Sequence, residues 1–172
     1  MEFFMIQFIG AIAYGLLTLS YFKKEKKQIL FIQIFAYLMF SIHYYLLNGL
    51  AGAICNVIGL LALLAIYLFD KYNIKNKNIM ASVFIIGLLV INISTFQNIY
   101  SIFPMIASII AIISFITNNE ETIREIGALS AVCWLIYAIV YKSYISIVFE
   151  AVTLTGVLIA LIKTKREQKN NL

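Results

Sequence analysis

Residues 133–150 read CWLIYAIVYKSYISIVFE. Two apolar runs are split by the short break YKSY (141–144), and the second run carries a single carboxylate, Glu150. An ionised side chain near the middle of a bilayer costs roughly 2.5–3.5 kcal/mol on insertion scales. A chain that keeps one there normally turns it inward, towards a partner, water or a ligand. The reading of this stretch therefore depends on whether the rest of the chain is also built for lipid.

It is. Hydrophobic residues make up 63% of the 172, charged residues 12%, there is one proline, and mean hydropathy is +0.95. Soluble domains run at about 45–50% apolar and about 25% charged. The composition predicts an all-α integral membrane protein forming a single membrane domain over residues 1–172. A spanning helix needs about 20 apolar residues. Seven segments qualify: Phe3–Phe22, Gln28–Leu46, Leu50–Phe69, Ile79–Phe96, Tyr100–Thr117, Arg124–Val140 and Ile145–Ile162. The connections KKEKK, NG, DKYNIKNKN, QNIY, NNEETI and YKSY leave no room for a soluble domain. MEFFMIQFIG has an acid and no basic region ahead of its apolar run, so it is expected to remain as the first span.

The charges orient the spans. Of the 13 basic residues, only Lys142 falls on the side of the second, fourth and sixth loops. Lys23, Lys24, Lys26, Lys27, Lys71, Lys75, Lys77, Arg124, Lys163, Lys165, Arg166 and Lys169 all fall on the other side. Basic loops stay cytoplasmic, which predicts the N-terminus outside and the tail, 164–172, inside. The net charge of +5 comes from this bias, so no nucleic-acid partner is expected. The basic tail is expected to lie near anionic headgroups.

Catalytic patterns are missing from the sequence. There is one histidine, no nucleophile–base–acid set at usable spacing, no Cys/His metal cluster and no phosphate loop. Cys55 and Cys133 lie inside apolar runs, as small buried hydrophobes do. No enzyme activity, cofactor or metal is expected.

An internal repeat organises what remains. An offset of 94 aligns residues 8–69 with 102–163 without a gap. Identities are few, but the non-lipid residues coincide. Gly49, Gly52, Asn56 and Gly59 form one stripe of the third span and align with Ser143, Ser146, Glu150 and Thr153 of the seventh. Phe40 aligns with Trp134, His43 with Tyr137, Ser20 with Ser114, and Gly10 with the only proline, Pro104. This predicts a first three-helix unit (1–70), a linker helix (79–97) and a second unit (100–163). An odd linker makes the two units parallel.

The segments HYYLLNGLAGAICN (43–56) and CWLIYAIVYKSYISIVFE (133–150) carry a resemblance. The chain resembles the YgjV-like bacterial inner-membrane proteins, within the superfamily of SWEET and PQ-loop transporters. Parallel repeats are the SWEET architecture. The resemblance implies a 3+1+3 fold, N-out and C-in, in the bacterial inner membrane. It also implies a central substrate site between the units.

Trp134 and Glu150, and in the other unit Phe40 and Asn56, sit at similar depth, roughly 8–11 Å below the outer edge of the hydrocarbon by helical rise. Units packed face to face would bring two aromatics and two polar groups to one cavity, a reasonable small-molecule site. The predicted substrate-binding residues are Asn56, Glu150, Trp134, Phe40, His43 and Tyr137. Glu150 is also a proton-coupling candidate, and Pro104 a hinge candidate. A structural reading stands beside each: Glu150 paired with His43 or Lys142, Asn56 as an interhelical bond, Pro104 as a simple bend. The functional expectation is a transporter of a small polar solute, with a monomer sufficient for a complete site. The alternative is a sensor or scaffold whose polar residues only pack helices.

Overall fold

In hydrocarbon an unpaired backbone N–H or C=O costs several kcal/mol, so apolar runs of spanning length fold as helices. The computed structural model describes residues 2–23, 25–72, 74–116 and 120–156, and every regular element among them is helical. The helices are α1 (Glu2–Tyr21), α2 (Lys26–Leu46), α3 (Leu50–Lys71) and α4 (Lys77–Ser94). A 3-10 turn, Ile99–Ser101, then leads into α5 (Ile102–Ile116), followed by α6 (Glu120–Val140). The last helix, α7, is described over Tyr144–Gly156.

Helices α1 to α4 are long and apolar enough to cross a membrane; α5, the stretch Leu129–Val140 of α6 and the described part of α7 are shorter apolar helices. The expected seventh span reaches Ile162. Its end, the tail 164–172 and five of the predicted cytoplasmic cations (Lys24, Lys163, Lys165, Arg166 and Lys169) lie outside the described residues. Helix α4 starts at Lys77 rather than Ile79, and Lys77 pairs with Asp70 at the end of α3. Helix α6 starts at Glu120 rather than Arg124. Hydropathy marks the apolar part of a helix, whereas backbone pairing sets its ends.

Packing follows a ring. Helix α2 lies between α1 and α3, α3 packs on α5, and α5 on α6, while α4 lies against α3 and α5. Helix α7 closes the ring on α1. The rings of Phe3 and Tyr144 are 5.8 Å apart, and those of Tyr14 and Phe149 are 4.6 Å apart. Between these levels, Gln7 donates to the Lys142 carbonyl at 3.2 Å and accepts from the Ile145 amide at 3.2 Å. Residue numbers rise together along this contact, so α1 and α7 run parallel. The approach is close: a Cβ on Gly10 would fall 2.5 Å from Ile145 Cγ2 and 2.8 Å from the His43 ring.

Apolar clusters fill the contacts. Ile58, Ala62, Ala81, Leu88 and Ile112 join α3, α4 and α5. Ala13, Tyr14, Ala36 and Phe40 join α1 and α2, with Ile145 and Phe149 of α7 packed on them. The outer surface is apolar in stripes. Along α4, Ile79, Val83, Ile86, Val90 and Ile93 are all exposed at helical spacing, Ile93 by 73%. Along α1, Phe4 and Phe8 are exposed by 82% and 67%. Soluble monomers rarely leave such continuous apolar faces uncovered.

The turns at 47–49 and 141–143 share one geometry. In the first, the amides of Leu47, Asn48 and Gly49 bond to the carbonyls of His43, Tyr45 and Tyr44 at 3.1, 3.0 and 2.8 Å. In the second, the amides of Tyr141, Lys142 and Ser143 bond to Tyr137, Ile139 and Ala138 at 3.1, 3.3 and 2.9 Å. Donor and acceptor positions agree throughout at an offset of 94. Asn48 and Lys142, also so related, both adopt the left-handed region, with φ of 59° and 54°. Asn visits that region readily, whereas Lys does so at a cost.

Candidate functional site

Glu150 lies on α7, half-buried and about 9 Å along the helix from Tyr144. Its Oε1 accepts a 2.8 Å hydrogen bond from the Tyr14 hydroxyl of α1. The Tyr14 ring stacks on Phe149 and meets Phe40 edge-on at 4.7 Å. Phe40, from α2, therefore forms part of the wall behind the Tyr14–Glu150 pair.

His43 is 0% exposed. Its Nδ1 is 2.8 Å from the Ile6 carbonyl, and a carbonyl only accepts, so Nδ1 carries a hydrogen. Its Nε2 is 2.7 Å from Ser143 Oγ, which lies 2.6 Å from Ser146 Oγ. Neither His43 nor Lys142 is the partner of Glu150; that place belongs to Tyr14.

Tyr137 of α6 reaches α3. Its hydroxyl accepts the Gly52 amide at 2.9 Å, and a Cβ on Gly52 would fall 2.4 Å from its ring. The third stripe is thus small because a tyrosine lies in it. Asn56 is 3% exposed and donates to the Gly52 carbonyl at 2.8 Å, within its own helix. Trp134 stacks on Tyr44 at 5.3 Å and meets Tyr137 at 6.1 Å.

Tyr44 joins α2 to α6. It packs between His43, Trp134 and Tyr137. Its hydroxyl is buried beside Ser143 and Ser146, without a partner at hydrogen-bond geometry. The six predicted residues fall into two groups. Glu150 and Phe40 meet at Tyr14. His43, Trp134 and Tyr137 meet at Tyr44, and through Gly52 Tyr137 reaches the turn of α3 that holds Asn56. Asn56 and Glu150 make no direct bond. Pro104 occupies the first turn of α5, where a missing N–H costs no helical bond. Any hinge there acts at the junction of the 3-10 turn and α5 rather than within a helix.

The chain matches the family model Imp-YgjV, bacterial inner membrane protein, over residues 4–168. It belongs to that family. No curated protein and no solved structure matches it. For a member of an inner-membrane family, the exposed apolar stripes of α1 and α4 are compatible with membrane spans.

Sequence reasoning missed Tyr14 and Tyr44, each of which centres one of the two groups. Tyrosines favour membrane interfaces, and a mid-span tyrosine such as Tyr14 was the available signal. Asn92 of α4 was also missed; its Nδ2 donates to Leu88 at 2.9 Å and contacts Cys55 Sγ at 3.4 Å. That contact fastens α4 to α3 away from the Glu150 network.

Proposed function

We propose that this protein carries a small polar solute across the bacterial inner membrane by alternating access, one three-helix unit rocking against the other. The reading places it within the SWEET and PQ-loop superfamily as a 3+1+3 carrier, N-terminus outside and C-terminus cytoplasmic. It is a carrier rather than an enzyme, and one chain holds a complete site. Support for the two units comes from the matching turns and from one reciprocal contact. His43 of α2 reaches Ser143 at the start of α7, and its aligned residue Tyr137 reaches Gly52 near the start of α3.

The observation that carries the transport reading is the Tyr14–Glu150 pair. It puts an ionisable group on the α1–α7 contact between the units, where a rocking motion would expose it. In this reading Glu150 and Asn56 bind the polar groups of the solute. Trp134 and Phe40 supply stacking surfaces, with His43 and Tyr137 closing the outer end. Glu150 serves either a cationic group or a proton, and Pro104 marks a junction about which α5 tilts.

One observation favours the scaffold alternative: Asn56 spends its donor on its own helix and is almost fully buried. Ligand-induced thermal stabilisation separates the two readings. Sugars, polyols, amino acids, nucleosides and amines would be screened against the purified protein, with Glu150→Gln and Asn56→Ala alongside. A ligand at about a hundredfold excess over Kd stabilises by about 2.7 kcal/mol. A shift lost in both variants supports the carrier. No shift anywhere, with both variants strongly destabilised, supports the scaffold.

A further inference from the structure

The link between α1 and α2 and the helices beside it enclose a cleft of about 500 Å³. Lys23, Lys27, Gln28, Phe31, Ile32 and Tyr67 line it. Lys23 stands just past the end of α1, Lys27 and Gln28 lie in the first turn of α2, and Tyr67 lies one turn before the end of α3. Two ammonium groups and an amide thus sit at the helix ends. Two rings and a branched alkyl chain lie one turn further in.

The two charges are available to a ligand. Lys23 and Lys27 are exposed, and among the described residues no carboxylate pairs with either. Of the acids adjoining these segments, Glu25 accepts from the Gln28 side chain at 3.1 Å without lining the cleft, and Asp70 pairs with Lys77. Gln28 keeps a second amide hydrogen to give.

The apolar part continues out of the cleft. The Phe31 ring meets Phe35 edge-on at 5.3 Å, and Leu38 and Ile42 follow on the same face of α2, all four exposed by 39–50%. From Phe31 to Ile42 this track is about 16 Å long by helical rise. The Tyr67 ring of α3, 6.2 Å from Phe31, stands beside its start.

A free phosphate ester would use the lysines and leave the track bare. An uncharged acyl chain would use the track and leave two cations unpaired. An amphiphile with an anionic head uses both. We propose that the cleft holds the headgroup of an anionic phospholipid, its phosphodiester between Lys23 and Lys27 and one acyl chain along Phe31, Phe35, Leu38 and Ile42. Lysines bind phosphate as point charges, and basic pockets between membrane helices take anionic headgroups. A zwitterionic head brings its own cation against the two lysines and is disfavoured. The site shares no residue with the groups around Tyr14 and Tyr44, so it stands whether or not the protein is a carrier.

The test is native mass spectrometry of the full chain, released from vesicles of equimolar phosphatidylglycerol and phosphatidylcholine with identical acyl chains. Identical chains cancel the track and leave the head as the variable. Preferential retention of one phosphatidylglycerol per chain is expected. A lysine near an anionic headgroup contributes about a factor of five in affinity, so Lys23→Gln with Lys27→Gln should lower the preference roughly 25-fold. Lys23→Arg with Lys27→Arg should keep it. Lys71→Gln with Lys75→Gln removes two exposed cations outside the cleft and should also keep it. Phe31→Ser with Phe35→Ser should lower retention of both lipids alike. All four positions are exposed, and melting like that of the unsubstituted chain checks that each variant folds.

Equal retention of the two lipids would overturn the proposal, as would equal loss in both Lys→Gln pairs, which would mean diffuse surface charge. Displacement of the lipid by an equal concentration of glycerol phosphate would assign the cleft to a free anion instead. Unchanged retention in the Phe31→Ser, Phe35→Ser variant would remove the acyl track and with it the case for a lipid.

Discussion

Tyr14 donates to Glu150 at 2.8 Å while its ring stacks on Phe149 and meets Phe40, so one side chain ties α1 to α2 and α7. Replacing it with Phe keeps the ring and removes only the donor. A buried acceptor left without its partner costs about 1–3 kcal/mol, so Tyr14→Phe should melt measurably earlier in detergent. Tyr14→Ala also loses the aromatic packing and should cost about 3–5 kcal/mol. Equal melting of Tyr14→Phe and the unsubstituted chain would mean the bond contributes nothing. Glu150 was legible in the sequence because a carboxylate in an apolar run has no inexpensive explanation. Its partner was not, because Tyr14 lies 136 positions away and reads locally as one more aromatic. The same limit hid Ser143 as the partner of His43, 100 positions apart.

Between elements, small residues decide how closely helices approach. Gly52 lets the Tyr137 ring settle on the backbone of α3, at a distance a Cβ would occupy. Gly52→Ala should therefore destabilise by about 1–3 kcal/mol, as overpacking does. Gly87 of α4 has nothing within 4 Å of a built Cβ. Gly87→Ala should be neutral or raise stability by up to about 1 kcal/mol through helix propensity. Thermal melts of the pair check both signs at once. The helices themselves were legible from hydropathy, since in lipid a long apolar run has few other ways to satisfy its backbone. Their ends were less so, as the starts of α4 and α6 show. The glycine stripe of α3 was legible as a close contact, but not as a seat for Tyr137, because periodicity gives a face and not the neighbour that occupies it.

Over the whole molecule, α1 lies parallel to α7, and the ring closes through the contacts of Phe3, Gln7 and Tyr14. A short bifunctional thiol reagent should join cysteines placed at Phe3 and Tyr144, in a chain whose Cys55 and Cys133 are replaced. It should not join Phe3 to Gly156, at the far end of described α7. Joining of the second pair instead would reverse the packing of α7. The offset of 94 is read from where polar residues fall, and the turns at 47–49 and 141–143 share their hydrogen-bond pattern at that offset. What sequence does not carry is that Tyr44 of α2 meets Trp134 and Tyr137 of α6, since that depends on the angle at which the helices pack. The carrier reading is tested most directly by labelling a cysteine at position 146, in the chain lacking Cys55 and Cys133, with a membrane-impermeant thiol reagent. Right-side-out and inside-out vesicles present the two faces separately. Alternating access predicts labelling from both faces, with folded variants of the same melting behaviour. Protection from both faces, while a control cysteine at Asn48 or Lys142 labels from one, would contradict it and leave the buried polar network as packing alone.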